Sequence, residues 1–355
     1  MIRSALLVCA VIVMVASPAC APVEPTPGGG GVAVCTAASF VAKASYLAVP
    51  FTPAPGAGAP PTSPLPANYA QDLAAAFNIA PPAFQKRLCD LDAVYVNAAP
   101  CTSSAECQSA SWGWRQSRPT IGQGRVVALS VGLWKLGSYS AYETDLTHSI
   151  LPTAGVAYAN AETCLPSGAC QSDDNLPTAL LAALAHETGH IRWFDLIGPL
   201  PDPTVFCGGG FFRYSWETPI HHLTLDEFGR RFRRLLTPEE RRLLRLSNRW
   251  IDHHKNGQTR IDRIDNPRPG DPPVSQMIHD LLRPLSPWAS LFAAMSPDED
   301  FVETYKFKVL TTATPPLKSA TITVPGAGSV NVAADYFSDK KPELLAKTVC
   351  IPESF

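Results

Sequence analysis

Leu180-Leu181-Ala182-Ala183-Leu184-Ala185-His186-Glu187-Thr188-Gly189-His190 is the stretch on which the reading of this chain turns. Two histidines four apart share one face of a helix, one turn from each other. Leu180, Leu181, Ala183 and Leu184 bury such a helix, which argues against two solvated surface histidines. Neutral imidazole binds zinc at ~2.0–2.1 Å, and a hydrolytic zinc site uses three protein ligands with a fourth position for water. His186 and His190 are therefore expected metal ligands, and Glu187, beside the first of them, the expected general base. Zinc would lower the pKa of water to about 7 and polarise a scissile carbonyl, while the carboxylate passes the proton to the leaving amine. The five-residue pattern is short, and the apolar helix preceding it supplies the context that gives it weight.

Working outward, a helix is expected from Ala179 to Leu196, capped by Asp174, Asn175 or Thr178 with Pro177 nearby and stopped at Gly198-Pro199. The third ligand must come from elsewhere. Metzincins carry a glycine three residues after the second histidine and a histidine six after it. Trp193 and Leu196 hold those positions here, which excludes that class. Ser296-Pro297-Asp298-Glu299-Asp300-Phe301-Val302-Glu303-Thr304-Tyr305 reads instead as a later helix with two glutamates four apart on one face.

With this element the chain resembles the anthrax lethal factor-like gluzincins and related zinc-binding metallopeptidases, whose third-ligand helix carries a Glu-x-Phe-Ala-Glu type signature. Val302 stands where that signature has alanine. The resemblance implies that Glu299 is the third zinc ligand and that Glu303 hydrogen-bonds a ligand histidine, fixing its tautomer. It implies an α+β, zincin-like fold: a small twisted sheet, the active-site helix and a mainly helical C-terminal part. Peptide or protein would be the substrate, lying extended along the sheet edge. His190 and Glu299 are 109 positions apart, which implies a large insertion. The oxyanion donor is unassigned, with Tyr214, His279 and Tyr305 as candidates. A zinc-binding surface lipoprotein without turnover, an adhesin or assembly factor on a retired protease fold, is the alternative, and intact Glu187 argues against it. A metallo-hydrolase of non-peptide amides shares every motif residue.

Other histidines read as bystanders. His221-His222 and His253-His254 are adjacent, so their side chains point apart; His148 and His279 stand alone; Asp195 falls on a different helix face from His190.

Of 355 residues, 46% are apolar and 17% charged, with a net charge of -2, which gives no field to steer nucleic acid or an anionic membrane. Residues 1–20 read as an export signal: Arg3, then an apolar run from Ala5 to Ala16, too short to span a bilayer of ~30 Å. Ser17-Pro18-Ala19-Cys20 resembles a lipoprotein cleavage box, which would place a lipid on Cys20; ordinary cleavage after Ala19 stays open. The expected location is the bacterial cell envelope or the extracellular space. Eight cysteines lie beyond Cys20, and export would permit four disulfides, with Cys101/Cys107 and Cys164/Cys170 close enough to clip local loops.

Residues 21–67 read as a Pro/Gly-rich tether and spacer, with Cys35 to Val49 a short helix or strand pinned by a disulfide to the main domain, and the metallopeptidase domain as residues 68–355. Within it, Ala74 to Phe77 and Phe84 to Leu91 look helical across a Pro81-Pro82 break. Ala93 to Val96 and Arg125 to Trp134 look like strands joined by a loop from Cys101 to Gly124. Leu223 to His254 reads as a charged amphipathic helix pair, Val274 to Leu282 as a helix, and Ala320 to Val324 and Val330 to Tyr336 as a closing strand or hairpin.

Overall fold

The computed structural model describes residues 35–49, 61–98, 111–115, 124–150, 159–160, 173–197, 206–208, 210–212, 269–270, 272–273, 275–276, 279, 289–290, 293, 297–324, 326–331, 333 and 342–353. Its compact unit runs from Cys35 to Phe355. Helices pack around a small mixed sheet, an α+β arrangement.

Thr36 opens α1 (Ala37–Val41) with a reciprocal capping box to Ser39, and β1 (Ala44–Leu47) follows directly. A short strand, β2 (Ser63–Pro64), pairs antiparallel with β1. Next come α2 (Ala67–Ile79) and α3 (Pro82–Cys89), separated as expected by the double proline, with Pro82 seated in the first turn of α3. β3 (Ala93–Asn97), β4 (Trp112–Arg115) and β5 (Arg125–Ser130) complete the sheet in the order β2-β1-β3-β5-β4. The pairs β1/β3 and β3/β5 are parallel, whereas β4 lies antiparallel on β5 at the edge.

Two expectations change here. The stretch assigned as spacer, residues 21–67, does not stay outside the domain: residues 35–47 supply a helix and an inner strand, so the compact unit starts at Cys35 rather than near residue 68. The cause is pairing with β3, which local composition does not record; the expected disulfide to the main domain is Cys35–Cys89. Second, the strand expected from Arg125 to Trp134 ends at Ser130. There the Ser130 hydroxyl accepts the Gly132 N–H, the chain turns, and α4 (Leu133–Leu136) begins, closing at Gly137 with a left-handed φ of 74°.

The faces of the sheet follow the two-residue period of a strand. Val94, Val96, Val127 and Leu129 enter the main core, while Ala93, Tyr95, Val126 and Ala128 form a second cluster with Leu47. Against the first face lies α6 (Leu176–Leu196), buried along almost its whole length. Asn175 caps it by accepting the Thr178 N–H, and Pro177 sits in its first turn.

Three further pieces bracket α6. α5 (Tyr139–Ile150) precedes it, α7 (Pro297–Thr312) crosses it, and α8 (Pro342–Val349) backs α7. A small antiparallel sheet, β6 (Ala159–Asn160), β7 (Thr321–Val324) and β8 (Gly328–Asn331), stands apart from the first. The expected hairpin at residues 320–336 is thus present, its second strand beginning at Gly328 and described to Asn331. Of the expected helix at 274–282, Ser275, Gln276 and His279 are described and helical. The charged helices at 223–254 and the pairs Cys101/Cys107 and Cys164/Cys170 lie outside the described residues. A second disulfide joins Cys207 to Cys350, fastening the end of α8. Among the described residues no helix is long and apolar enough to cross a membrane.

Candidate metal centre

Gly189, between Thr188 and His190, lets α6 and α7 come together. A Cβ there would stand 3.2 Å from Val302 Cα and from its Cγ1, so any larger residue would push α7 away. That close crossing brings Glu299 and Glu303, 113 and 117 residues after His186, onto the histidine face. The Nε2 atoms of His186 and His190 are 3.3 Å apart; Glu299 Oε2 lies 3.7 Å from the first and Glu299 Oε1 3.7 Å from the second. Three ligand atoms held at ~2.0–2.1 Å from one ion at tetrahedral corners are roughly 3.3–3.4 Å apart. The two nitrogens already meet that spacing, and the Glu299 carboxylate, which each imidazole meets through a different oxygen, completes a donor set that could hold a metal ion. His186 and Glu299 are buried and His190 is partly exposed.

Glu303 is fully buried, and its Oε1 lies 2.7 Å from His186 Nδ1. Burial pushes the Glu303 carboxyl up, but Lys306 together with the charge and hydrogen bond of His186 outweighs it and holds the group down at about 2. An ionised carboxylate only accepts hydrogen bonds, so Nδ1 carries the proton and Nε2 keeps its lone pair toward Glu299. Glu299 is displaced the other way: burial drives its carboxyl well above the usual range, helped by Asp298, Glu303 and Glu187. A cation at this point would relieve that crowding of acids.

Glu187 is buried between α6 and the edge strand. Burial pushes its carboxyl up to about 7, against the pull of His186 and of the Gly113 N–H that hydrogen-bonds it. Gly113 belongs to β4, and a Cβ there would sit 1.9 Å from the Glu187 carbonyl oxygen, so only glycine allows the strand to lie this close. A carboxyl poised near neutrality beside two imidazoles is placed to take a proton from water and return it.

All five residues expected from the sequence thus converge: His186, Glu187, His190, Glu299 and Glu303. Asp298 joins them unexpectedly, its carboxylate grouped with His190 and Glu299. It was missed because the helical spacing argument selects glutamates four apart and passes over a neighbour at the helix start. Tyr142 was missed as well. It is buried on α5, where burial first and then the charges of Glu303, Glu187, Glu143 and Glu299 drive its phenol far up. Nothing in the sequence around it marks that placement.

The oxyanion candidates fare differently. Tyr305 points into the core, packed against Phe84 and Phe301 with Glu353, Arg192 and Arg87 as its electrostatic neighbours. Two residues beyond Glu303 on a helix is close to the opposite face, which is the reason. Tyr214 lies outside the described residues, and His279 is buried. Asp195 pairs with Arg192 and Arg125. The side chains of His148, His221, His222, His253 and His254 fall outside the described residues.

Comparison with known proteins returns no matching family model, no matching curated protein and no matching solved structure.

Proposed function

We propose that the chain is a zincin-like metallopeptidase of the gluzincin type, hydrolysing peptide bonds with His186, His190 and Glu299 as zinc ligands and Glu187 as general base. One observation carries the reading: two imidazole nitrogens and a glutamate carboxylate converge at 3.3–3.7 Å beside a buried carboxyl raised to about 7. Zinc, when bound, would supply a Lewis acid that polarises the scissile carbonyl and acidifies water. Glu187 takes up a proton from the attacking water and delivers it to the leaving amine. Glu303 holds the His186 ring in the tautomer that presents Nε2. β4, the antiparallel edge strand that abuts Glu187, offers its outer edge to an extended peptide.

The disulfides Cys35–Cys89 and Cys207–Cys350, together with the apolar N-terminal run, support an exported protein in an oxidising compartment, freely secreted or held by a lipid on Cys20. The deciding experiment measures metal content and cleavage of a peptide library by the protein, by Glu187→Ala and by Glu299→Ala. The reading expects one zinc and turnover in the parent, zinc without turnover in E187A, and loss of zinc in E299A. Zinc without cleavage in the parent would favour the non-catalytic zinc-binding lipoprotein, and absence of zinc would end the proposal.

A further inference from the structure

Glu303 orients His186, and the residue that orients Glu303 is Lys306. It lies one turn further along α7 and is fully buried, with its Nζ 2.6 Å from Glu303 Oε2 and 3.1 Å from Glu143 Oε2. Glu143 comes from α5 and accepts the Tyr139 hydroxyl at 2.9 Å. Ser290 donates to the same Glu303 oxygen that Lys306 binds. The rings of Tyr139, Tyr142 and Phe307 surround the ammonium at 5.1–5.8 Å, closing it off from water.

For stability alone this arrangement is a poor choice. A buried ion triad is generally no better than apolar residues of the same volume, because each charge must be stripped of water. What an apolar side chain could not do is select between the two oxygens of Glu303. With Oε2 taken by Lys306 and Ser290, Oε1 alone faces His186 Nδ1 at 2.7 Å.

We propose that Lys306, anchored by Glu143, is a positioning residue for the metal centre: it clamps the Glu303 carboxylate so that His186 stays protonated on Nδ1 and offers Nε2 to zinc. The inference rests on the zinc-site reading, and it extends the chain of contacts from the metal face of α6 through α7 to α5. Partners that orient a ligand histidine commonly contribute 10–100-fold to metal affinity.

The test uses the disulfide-bonded protein, stripped of metal and titrated with zinc against a chelating indicator, with nitrogen NMR of the His186 ring in the metal-free state. K306M/E143Q removes one positive and one negative charge together, so the net charge of the buried cluster is unchanged and Glu303 keeps its hydrogen bonds to Ser290 and His186. It is expected to bind zinc about 10–100-fold more weakly, and its His186 ring to change from the Nδ1–H form to a mixture of tautomers. A merely structural role for Lys306 would leave the tautomer unmoved. E143Q, which removes only the anchor of Lys306 and keeps its pairing with Glu303, serves if the double variant does not fold; a loss of about threefold in affinity with partial tautomer mixing is expected. Parent-like affinity and an unchanged tautomer in the folded variants would overturn the role of Lys306 while the zinc site stands. A parent that binds no zinc would overturn the zinc site instead, and the ring signals would then decide by themselves whether Lys306 orients His186.

Discussion

Replacing Glu187 by glutamine should stabilise the metal-free protein while abolishing its chemistry. The Glu187 carboxyl is raised from 4.5 to about 7, chiefly by burial. With each tenfold change in proton affinity worth about 1.4 kcal/mol, that displacement amounts to roughly 3 kcal/mol of destabilisation once the group must ionise. The sign follows from which state binds the proton more tightly. The folded protein does, so the contribution of Glu187 to stability is whole below pH 4.5 and is lost as pH rises through about 7. Glutamine mimics the protonated acid and still accepts the Gly113 N–H.

At pH 8 metal-free E187Q should therefore exceed the parent by about 3 kcal/mol, and at pH 5.5 by less than half of that. For a chain of this size the difference at pH 8 corresponds to a rise in Tm of roughly 5 °C or more. The assay is thermal unfolding followed by circular dichroism on chelator-treated protein at both values. In the zinc-loaded protein the gain should shrink, because a nearby cation holds the parent carboxylate ionised at little cost. Equal Tm values at pH 8, or an advantage equally large at pH 5.5, would refute the reasoning.

Three further outcomes follow from other contacts. Gly113→Ala would place a methyl 1.9 Å from the Glu187 carbonyl oxygen; β4 must shift, and we expect a loss of about 1–3 kcal/mol in denaturant titration and at least tenfold in peptidase activity. Lys347 of α8 pairs with Asp300 of α7 at 2.7 and 2.8 Å, both fully buried, so K347M should cost about 3–5 kcal/mol while K347M/D300L recovers most of it. Adding zinc at a hundredfold excess over its dissociation constant should stabilise the parent by about 2.7 kcal/mol, and E299A not at all, in paired thermal scans.

The candidate site was legible to an unusual degree because its two halves are each local. His186, Glu187 and His190 sit within five residues on an apolar helix, and Glu299 and Glu303 are four apart on another; helical periodicity alone puts each set on one face. What Gly189 does was not legible, since a glycine inside a helix reads as a weak point until Val302 is seen against it at 3.2 Å. β4 was hidden for a related reason. Trp112–Arg115 is four residues long within a stretch expected as loop, and it is a strand only because β5 pairs with it. The helix Tyr139–Ile150, carrying Glu143, likewise has no sharp pattern of its own, and its meaning comes from Lys306, 163 residues away.

By itself the sequence determined the central helix with its cap, the helices broken at Pro81-Pro82, the helix carrying Glu299 and Glu303, the candidate metal face and the candidate general base, because those depend on residues within a turn or two of each other. Tertiary structure decided the rest: that Cys35–Leu47 enters the sheet, which cysteines pair, that α7 crosses α6 at Gly189, and that Glu303 pairs from behind with Lys306, itself paired with Glu143. Those facts depend on contacts between residues scores of positions apart, whose energy comes from burial and charge pairing in a dry interior. No local pattern in a sequence carries that information.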